Sequence, residues 1–323
     1  MMKKILFLTS YDRSIGFGHL SRCSVIASGL KVHGCEAILL TSESSIKVND
    51  QLSAFDSLYY YDHSNLFQKL NQLNQEFHFS NIVIDDYSIN HSEIIEKLNR
   101  QVNIFRFDLN PKIDDQTSTI INYSPLYKNN DSKHLLGPDF ILIDEKFHYL
   151  KKESKDEVLV FFGGGGDHFA LRKFEEYLEF LSEKVSKVNI AITSAYENKD
   201  EIINKYSKRN RFNILLDSEL FASTLNNAKF SFISGGTISY ESAFLQTPMQ
   251  IVSVADNQIK QSISWHESGN AKYLGSIDCV DSNILKDSYE RFFSNTESLK
   301  SWYEQRKIFI DGLGVKRIIA RLI

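Results

Sequence analysis

The chain has 323 residues, of which 42% are hydrophobic and 24% charged, with only four prolines, so we expect folded domains rather than extensive disorder. The formal net charge is −4, and neither half is basic: residues 1–150 hold 14 Lys and Arg against 18 Asp and Glu, and the remainder 23 against 23. This balance argues against nucleic acid as the main ligand. No apolar run approaches the roughly 18 residues that suggest a membrane-spanning helix.

The start of the chain and its cysteines favour a cytoplasmic protein. Residues 5–8 form an apolar run that is too short for a secretory signal and has no small-residue cleavage site after it, so we predict a buried first strand. Cys23, Cys35 and Cys279 are odd in number and lack CxxC spacing, which fits reduced and mostly buried thiols. None of the nine histidines forms an HxxxH or HExxH pair, so we expect neither a metal site nor a cofactor.

Short apolar runs alternate with amphipathic stretches along the chain, a pattern typical of repeated β-α units around parallel sheets. Helices are predicted between the strands, for example at residues 19–32 and 91–100. The fold class is therefore α/β, with helices on both faces of each sheet. The predicted strands are residues 4–9, 36–41, 81–85, 102–107, 157–162, 188–193, 212–216, 230–234 and 249–254.

A charged run at residues 151–156 separates two similar halves. It is either a solvated turn or an interdomain linker. The chain restarts after it with a strand and a glycine loop, so we favour the linker. The sequence thus predicts two Rossmann-like domains, residues 1–150 and 157–323, with a terminal helix after the breaks at Gly312 and Gly314.

The first strand leads into a loop with the sequence Gly-Phe-Gly-His at residues 16–19. Gly16 and Gly18 allow the backbone to approach a ligand closely. His19 falls at a helix N-terminus, whose dipole favours the neutral imidazole that a general base must be; a capping or core role is the alternative. Arg22, one turn later, could contact a carboxylate, carbonyl or phosphate of a ligand, or could be a surface charge.

The strand at residues 81–85 ends in Asp85, Asp86 and Tyr87. Polar groups at the carboxyl edge of a parallel strand lie next to the crevice where open α/β sheets bind ligands. Asp85 or Asp86 could orient His19 or bind a sugar hydroxyl. Asp86 could instead cap the next helix.

Four glycines at residues 163–166 follow the first strand of the second half. They do not form a Walker loop, because no Gly-Lys-Ser/Thr sequence follows. Gly164 and Gly165 nevertheless permit close approach of a bulky ligand.

The strongest local signal is the turn at Gly235 and Gly236, after which Thr237 begins a helix. Backbone amides at such a helix start can hold a pyrophosphate without a lysine. Glu241, about one turn into the helix, would repel phosphate, so we expect it to bind ribose hydroxyls. The exit of the next strand supplies further polar groups in Asn257 and Gln258.

Taken in order, these motifs resemble those of the UDP-sugar hydrolases of pseudaminic acid biosynthesis and their spore-coat relatives, within the GT-B superfamily. The resemblance covers nearly the whole chain. The segments that carry it are residues 15–23, 83–87, 137–138, 163–167, 234–237, 240–241, 255–258 and 311–314.

The resemblance implies that UDP is held mainly by the C-terminal domain and that the substrate lies between the domains. By the same resemblance, His19 would be the catalytic base with Tyr87 nearby. The nucleotide contacts it implies are Gly236, Thr237 and Glu241 for diphosphate and ribose, and Asn257 and Gln258 for the phosphate or sugar.

The family's reaction releases UDP by attack of water at the anomeric carbon of the sugar, without a metal. Two alternatives remain open. The first is a GT-B glycosyltransferase whose base deprotonates a sugar hydroxyl, and the second is a nucleotide-sugar-binding protein without activity. The sequence does not indicate the oligomeric state.

Overall fold

The computed structural model describes residues 2–11, 17–42, 49–62, 64–98, 102–108, 116–127, 132–163, 168–197 and 199–323. The chain forms two compact units. Unit 1 comprises Met1–Leu142 and Gly312–Ile323, and unit 2 comprises Ile143–Asp311. No helix among the described residues is long and apolar enough to cross a membrane.

Unit 1 is built around a parallel sheet. Its elements up to Leu142 are, in chain order, β1 (Lys4–Thr9), α1 (Gly18–Val32), β2 (Glu36–Ser42), α2 (Asn49–Leu52), β3 (Ser57–Tyr61), α3 (Leu66–Phe77), β4 (Asn81–Asp85), α4 (His91–Leu98), β5 (Asn103–Phe107), β6 (Thr119–Asn122) and β7 (Leu135–Leu136). The strand order is β3-β2-β1-β4-β5-β6-β7.

The strand order of unit 1 reverses between β1 and β4. Thr9, the last residue of β1, pairs in register with Asp85, the last residue of β4. The Thr9 hydroxyl donates to the Asp85 carbonyl oxygen over 2.8 Å. Open α/β sheets bind ligands beyond the carboxyl ends of their strands at such a reversal. The fold therefore puts the start of α1 and the end of β4 at a favoured ligand-binding position.

Unit 2 contains a second parallel sheet, with the strand order β10-β9-β8-β11-β12-β13. Its helices and strands are β8 (Glu157–Phe161), α5 (His168–Lys173), α6 (Glu175–Lys184), β9 (Lys187–Ile192), α7 (Lys199–Tyr206), β10 (Phe212–Leu216), α8 (Phe221–Asn227), β11 (Phe230–Ser234), α9 (Ile238–Phe244), β12 (Met249–Ser253), α10 (Ile259–Glu267), β13 (Ala271–Ser276), α11 (Ser282–Phe292) and α12 (Thr296–Glu304).

An aromatic core fixes the centre of the second sheet. The rings of Phe162 and Tyr177 pack edge-on against Phe232 of β11, with centroids 5.0 Å and 5.1 Å away. All three side chains are buried, and each such pair adds about 0.5–1.5 kcal/mol to the burial of its surface. Because the strand order reverses between β8 and β11, this core lies at the point of the second sheet where open α/β sheets favour ligand binding.

The predicted α/β fold with parallel sheets is confirmed. All nine predicted strands are present, with their ends within one residue of the predicted positions. The sequence patterns did not reveal β3, β6, β7 and β13. β3 and β13 are partly exposed edge strands without a long apolar run, and β6 and β7 have only four and two residues.

The C-terminal helix corrects the predicted extent of the second domain. Helix α13 (Gly314–Leu322) packs on α1, where Gly29 allows close approach: a Cβ atom there would lie 2.5 Å from Cδ1 of Ile319. Ile318, Ile319 and Leu322 are buried by this packing. Residues 312–323, predicted as part of the second domain, therefore belong to unit 1.

The predicted linker at residues 151–156 lies inside unit 2 instead. Its residues are exposed, but the Lys155 amide donates to the Asn227 carbonyl oxygen over 2.9 Å, and the Asn226 side chain donates to the Lys151 carbonyl oxygen over 3.1 Å. These bonds fasten the charged run to the end of α8. The chain passes between the units at Leu142 and again at Asp311.

Candidate active site

The start of α1 and the end of β4 bring His19 and Asp85 together. Nδ1 of His19 lies 2.8 Å from Oδ1 of Asp85 and 3.1 Å from its carbonyl oxygen. An ionised carboxylate and a carbonyl only accept hydrogen bonds, so Nδ1 carries the proton, and the lone pair of the neutral ring is on Nε2. Asp85 is completely buried and His19 is 9% exposed. Of the two neighbouring aspartates at this strand end, Asp85 is the one whose carboxylate is within hydrogen-bond distance of His19.

Arg22 binds the same carboxylate. Its Nε donates to Oδ2 of Asp85 and its Nη2 to Oδ1, each over 2.7 Å. Burial alone would raise the pKa of Asp85, but the charge of Arg22, followed by the contact with His19, holds that pKa below its usual value. Two nitrogens of the group predicted to reach a ligand are thus engaged by Asp85.

Aromatic side chains surround this cluster. The ring of Tyr87 meets that of His19 edge-on, with centroids 4.7 Å apart, and Tyr87 is 41% exposed. Burial raises the pKa of Tyr87, so its phenol stays protonated at neutral pH and can act as a neutral hydrogen-bonding group. The Arg22 guanidinium lies 5.4 Å from the ring centroid of Phe107 and is hydrogen-bonded to Tyr123.

The glycines before His19 are only partly described. Among the described residues, the nearest atom to a Cβ atom placed on Gly18 would be Nη1 of Arg22, at 3.9 Å, so a side chain there would meet no close contact with them. Gly16, the other predicted residue of this loop, lies outside the described residues.

Asp86 has a structural role. Its Oδ1 accepts hydrogen bonds from the amide and hydroxyl of Ser88, over 2.8 Å and 2.6 Å. Its Oδ2 accepts from the hydroxyls of Ser10 and Tyr61. These bonds stabilise the turn that follows β4. Asp86 does not cap α4, because the amide of Glu93 in the first turn of that helix donates to Oδ1 of Asn90.

In unit 2, the Gly235-Gly236 turn is held firmly against α10. A Cβ atom on Gly235 would lie 2.0 Å from Oγ of Ser262, so only glycine fits there. The Gln261 side chain donates to the carbonyl oxygens of Gly235 and Gly236, over 2.9 Å and 3.2 Å. Within the described chain, the amides of Gly236 and Thr237 have no acceptor, and both residues are partly exposed. Such amides can bind an anion.

Glu241 lies half-buried on α9, one turn after these glycines. Burial raises its pKa to about 7; Lys146 acts to lower this pKa and Asp144 to raise it. A carboxylate near its titration midpoint at neutral pH exchanges protons readily on ligand binding.

Four other residues of unit 2 were predicted to bind the ligand: Asn257, Gln258, Gly164 and Gly165. Asn257 is exposed in the 3₁₀ turn Asp256–Gln258. Oε1 of Gln258 accepts a hydrogen bond from the Val254 amide over 3.0 Å, so this side chain is partly committed to its own loop. Gly164 and Gly165 lie outside the described residues.

Three residues of these clusters were not predicted from the sequence: Phe107, Tyr123 and Gln261. Tyr123 follows β6, and its position was hidden because that short strand was not predicted. Gln261 could have been found from its spacing, because it follows Gln258 by three residues on the same helical face. In the part of the chain that is described, no three His, Cys, Asp or Glu side chains are arranged to hold a metal ion.

Sequence comparison links the chain to two named proteins, although no family model matches it. It is 25% identical over 276 residues to the UDP-2,4-diacetamido-2,4,6-trideoxy-beta-L-altropyranose hydrolase of Campylobacter jejuni, covering 81% of this chain and 95% of the relative. It is 29% identical over 267 residues to the Helicobacter pylori pseudaminic acid cytidylyltransferase and UDP-2,4-diacetamido-2,4,6-trideoxy-beta-L-altropyranose hydrolase. That match covers 81% of this chain and 46% of the longer protein.

The chain is similar to these hydrolases over 81% of its length. The resemblance found in its motifs is thereby confirmed. Among solved structures, the glycosyltransferase VinC in complex with dTDP superimposes with a TM-score of 0.66 at 12% identity, covering 99% of this chain and 98% of VinC. At that identity the likeness shows the fold alone, which is GT-B.

Proposed function

We propose that this protein is a nucleotide-sugar hydrolase that releases UDP from a UDP-linked deoxy-amino sugar. The observation that carries the proposal is the hydrogen bond from His19 Nδ1 to the buried Asp85 carboxylate at a strand-order reversal. The names of the two relatives support the same reaction and indicate a role in pseudaminic-type acid or surface-glycan biosynthesis.

In the proposed reaction, Nε2 of His19 removes a proton from water as the water oxygen bonds to the anomeric carbon. The bond from that carbon to the UDP oxygen breaks, and UDP leaves with the electron pair. Asp85 stabilises the imidazolium that forms, and general-base assistance of this kind contributes about 10²–10⁴ in rate. Attack from the side opposite the leaving group inverts the anomeric configuration.

Unit 2 supplies the nucleotide site in this proposal. The amides of Gly236 and Thr237 would bind the diphosphate and stabilise the charge that grows as UDP departs. Glu241 would accept hydrogen bonds from the ribose hydroxyls. Asn257 and Gln258 remain candidates for the phosphate or the sugar, as do Gly164 and Gly165 of the glycine loop.

The test is incubation of the protein with UDP-2,4-diacetamido-2,4,6-trideoxy-beta-L-altropyranose, the compound in the names of the two relatives. UDP-N-acetylglucosamine is tested in parallel, and the products are identified by proton NMR. We expect free sugar with an inverted anomeric centre and UDP in equal amounts, without an acceptor. Retention of configuration would contradict the geometry, and binding without turnover would leave a nucleotide-sugar-binding protein.

Variants of helix α1 sharpen this test. His19→Asn should lower kcat about 10²–10⁴-fold and leave UDP affinity nearly unchanged, because only the base is removed. His33→Asn, at the exposed opposite end of α1, is the matched control and should retain full activity. A His19→Asn enzyme with near-normal turnover would overturn the assignment of the base.

A glycosyltransferase is the second candidate, since the same fold carries that activity in VinC. The same base would then deprotonate a sugar hydroxyl. Turnover that requires an added acceptor sugar would favour this candidate over the hydrolase.

A further inference from the structure

The carboxylate of Asp85 receives more donors than an orienting group for one histidine needs. Oδ1 accepts from both His19 Nδ1 and Arg22 Nη2, and Oδ2 accepts from Arg22 Nε. Asp85 has no exposed surface. Because solvent cannot satisfy Oδ2, its partner in the described structure is Arg22, and the geometry of the His19 contact depends on that partner.

We infer that Arg22 is a positioning residue that acts on the base through Asp85. Its bidentate hydrogen bonds fix the plane of the carboxylate, so that Oδ1 meets His19 Nδ1 and Nε2 is the atom available for the proton of water. Its positive charge also compensates that of the buried Asp85 carboxylate. The inference rests on the proposed function only for its kinetic consequences.

The charges around the imidazole favour a role for Arg22 that is exerted through Asp85. Among the described residues, the titratable or charged groups nearby lie on α1 and on the loops after β4, β5 and β6: Arg22, Cys23, Asp85, Asp86, Tyr87, Asp108 and Tyr123. Asp108 is itself paired with Arg106. The two phenols and the thiol are neutral at pH 7. The charges of Arg22 and Asp85 offset each other directly, since two nitrogens of the guanidinium bind the carboxylate.

Loss of Arg22 would change this balance in a defined direction. An unpaired buried carboxylate draws a proton into the site, and its nearest proton carrier is the imidazole. An imidazolium cannot act as a base. The Tyr123 contact and the Phe107 ring hold the guanidinium in place but add no charge.

The experiment compares wild-type protein with Arg22→Gln by ¹⁵N NMR of the His19 ring in the absence of ligand. We expect wild-type shifts that place the ring proton on Nδ1, and Arg22→Gln shifts displaced toward those of imidazolium. The acid limb of the kcat profile should move up by about one to three pH units, with KM nearly unchanged. An identical ring spectrum and an unshifted limb in a folded Arg22→Gln protein would overturn the inference.

Two further variants keep the result interpretable. Arg209→Gln removes a comparable but exposed arginine–carboxylate pair with Glu179 in unit 2 and should leave ring spectrum and acid limb unchanged. If Arg22→Gln does not fold, Arg22→Lys tests the positioning role instead. It keeps the charge but loses the bidentate contact, so we expect an unshifted limb with kcat roughly tenfold lower, and a wild-type kcat would overturn the positioning role.

The ring spectrum needs no substrate, so it tests Arg22 even if the protein does not hydrolyse UDP-sugars. Absence of hydrolysis with the expected ring spectra would refute the proposed function and not this inference. Normal hydrolysis by the wild type, together with an unaltered ring spectrum in Arg22→Gln, would refute this inference and not the proposed function.

Discussion

The raised pKa of Glu241 predicts that the affinity for UDP depends on pH through this one side chain. Ribose hydroxyls donate to a carboxylate, so binding favours its ionised form. With a pKa of about 7 in the free protein, most of the population must lose a proton before binding at pH 6, whereas little must at pH 8. The affinity should therefore rise as pH increases through 7.

The expected size follows from the titration. A group with its midpoint at pH 7 is about one-tenth ionised at pH 6 and about nine-tenths ionised at pH 8. If UDP binds only the ionised form, its affinity should increase about tenfold between these values, or about 1.4 kcal/mol. Loss of the carboxylate in Glu241→Ala should weaken binding by about 1.5–3 kcal/mol at pH 8, the range for a hydrogen bond to a charged group.

Calorimetric titration of UDP into wild type and Glu241→Gln across pH 6–8 provides the assay. The terminal phosphate of UDP also titrates near this range, but it does so identically for both proteins. The difference between the two curves therefore isolates Glu241. Parallel curves, or wild-type affinity in Glu241→Ala, would refute the ribose assignment.

The unfolding equilibrium offers a readout without ligand. A carboxyl whose pKa is higher in the folded than in the unfolded state makes folding less favourable as pH rises from the unfolded value through about 7. Glu241→Gln carries no such charge. The melting temperature of Glu241→Gln, measured relative to that of the wild type, should therefore rise between pH 5 and pH 8. An equal pH dependence of the melting temperature in the two proteins would contradict the raised pKa.

Two further predictions concern the stability of the glycine turn and the independence of turnover from a metal ion. Gly235→Ala should lower the free energy of unfolding by about 1–3 kcal/mol in chemical denaturation, because its Cβ atom would meet Ser262 Oγ, and Ser262→Ala should recover part of this loss. Gly236→Ala, whose Cβ atom would have neighbours at 3.7 Å, is the matched control for stability, and equal losses in the two would contradict the packing argument. EDTA should leave turnover intact, since backbone amides can stabilise phosphate charge without a cation; activity that returns only with Mg²⁺ or Mn²⁺ would contradict this.

The sequence determined the repeated β-α architecture and the candidate loops. Buried strands such as β1 and β8 read as continuous apolar runs because both faces of a parallel sheet are covered. Gly235 after β11 marks a turn where a Cβ atom would clash. These signals are local, so one sequence is enough to detect them. The edge strand β3 has no such run, since only part of it is buried.

The tertiary structure decided which side chains meet. Asp85 and Asp86 are neighbours with similar local signals, yet only Asp85 contacts His19, because the parallel pairing of β1 with β4 sets the register there. Arg22 was expected to reach a ligand, and its bidentate contact with Asp85 depends on the same pairing across 63 residues of chain. Likewise, α13 joins unit 1 because Gly29 accepts Ile319, a fit between residues far apart in sequence. Such contacts depend on three-dimensional register and shape, which a local pattern of residues does not encode.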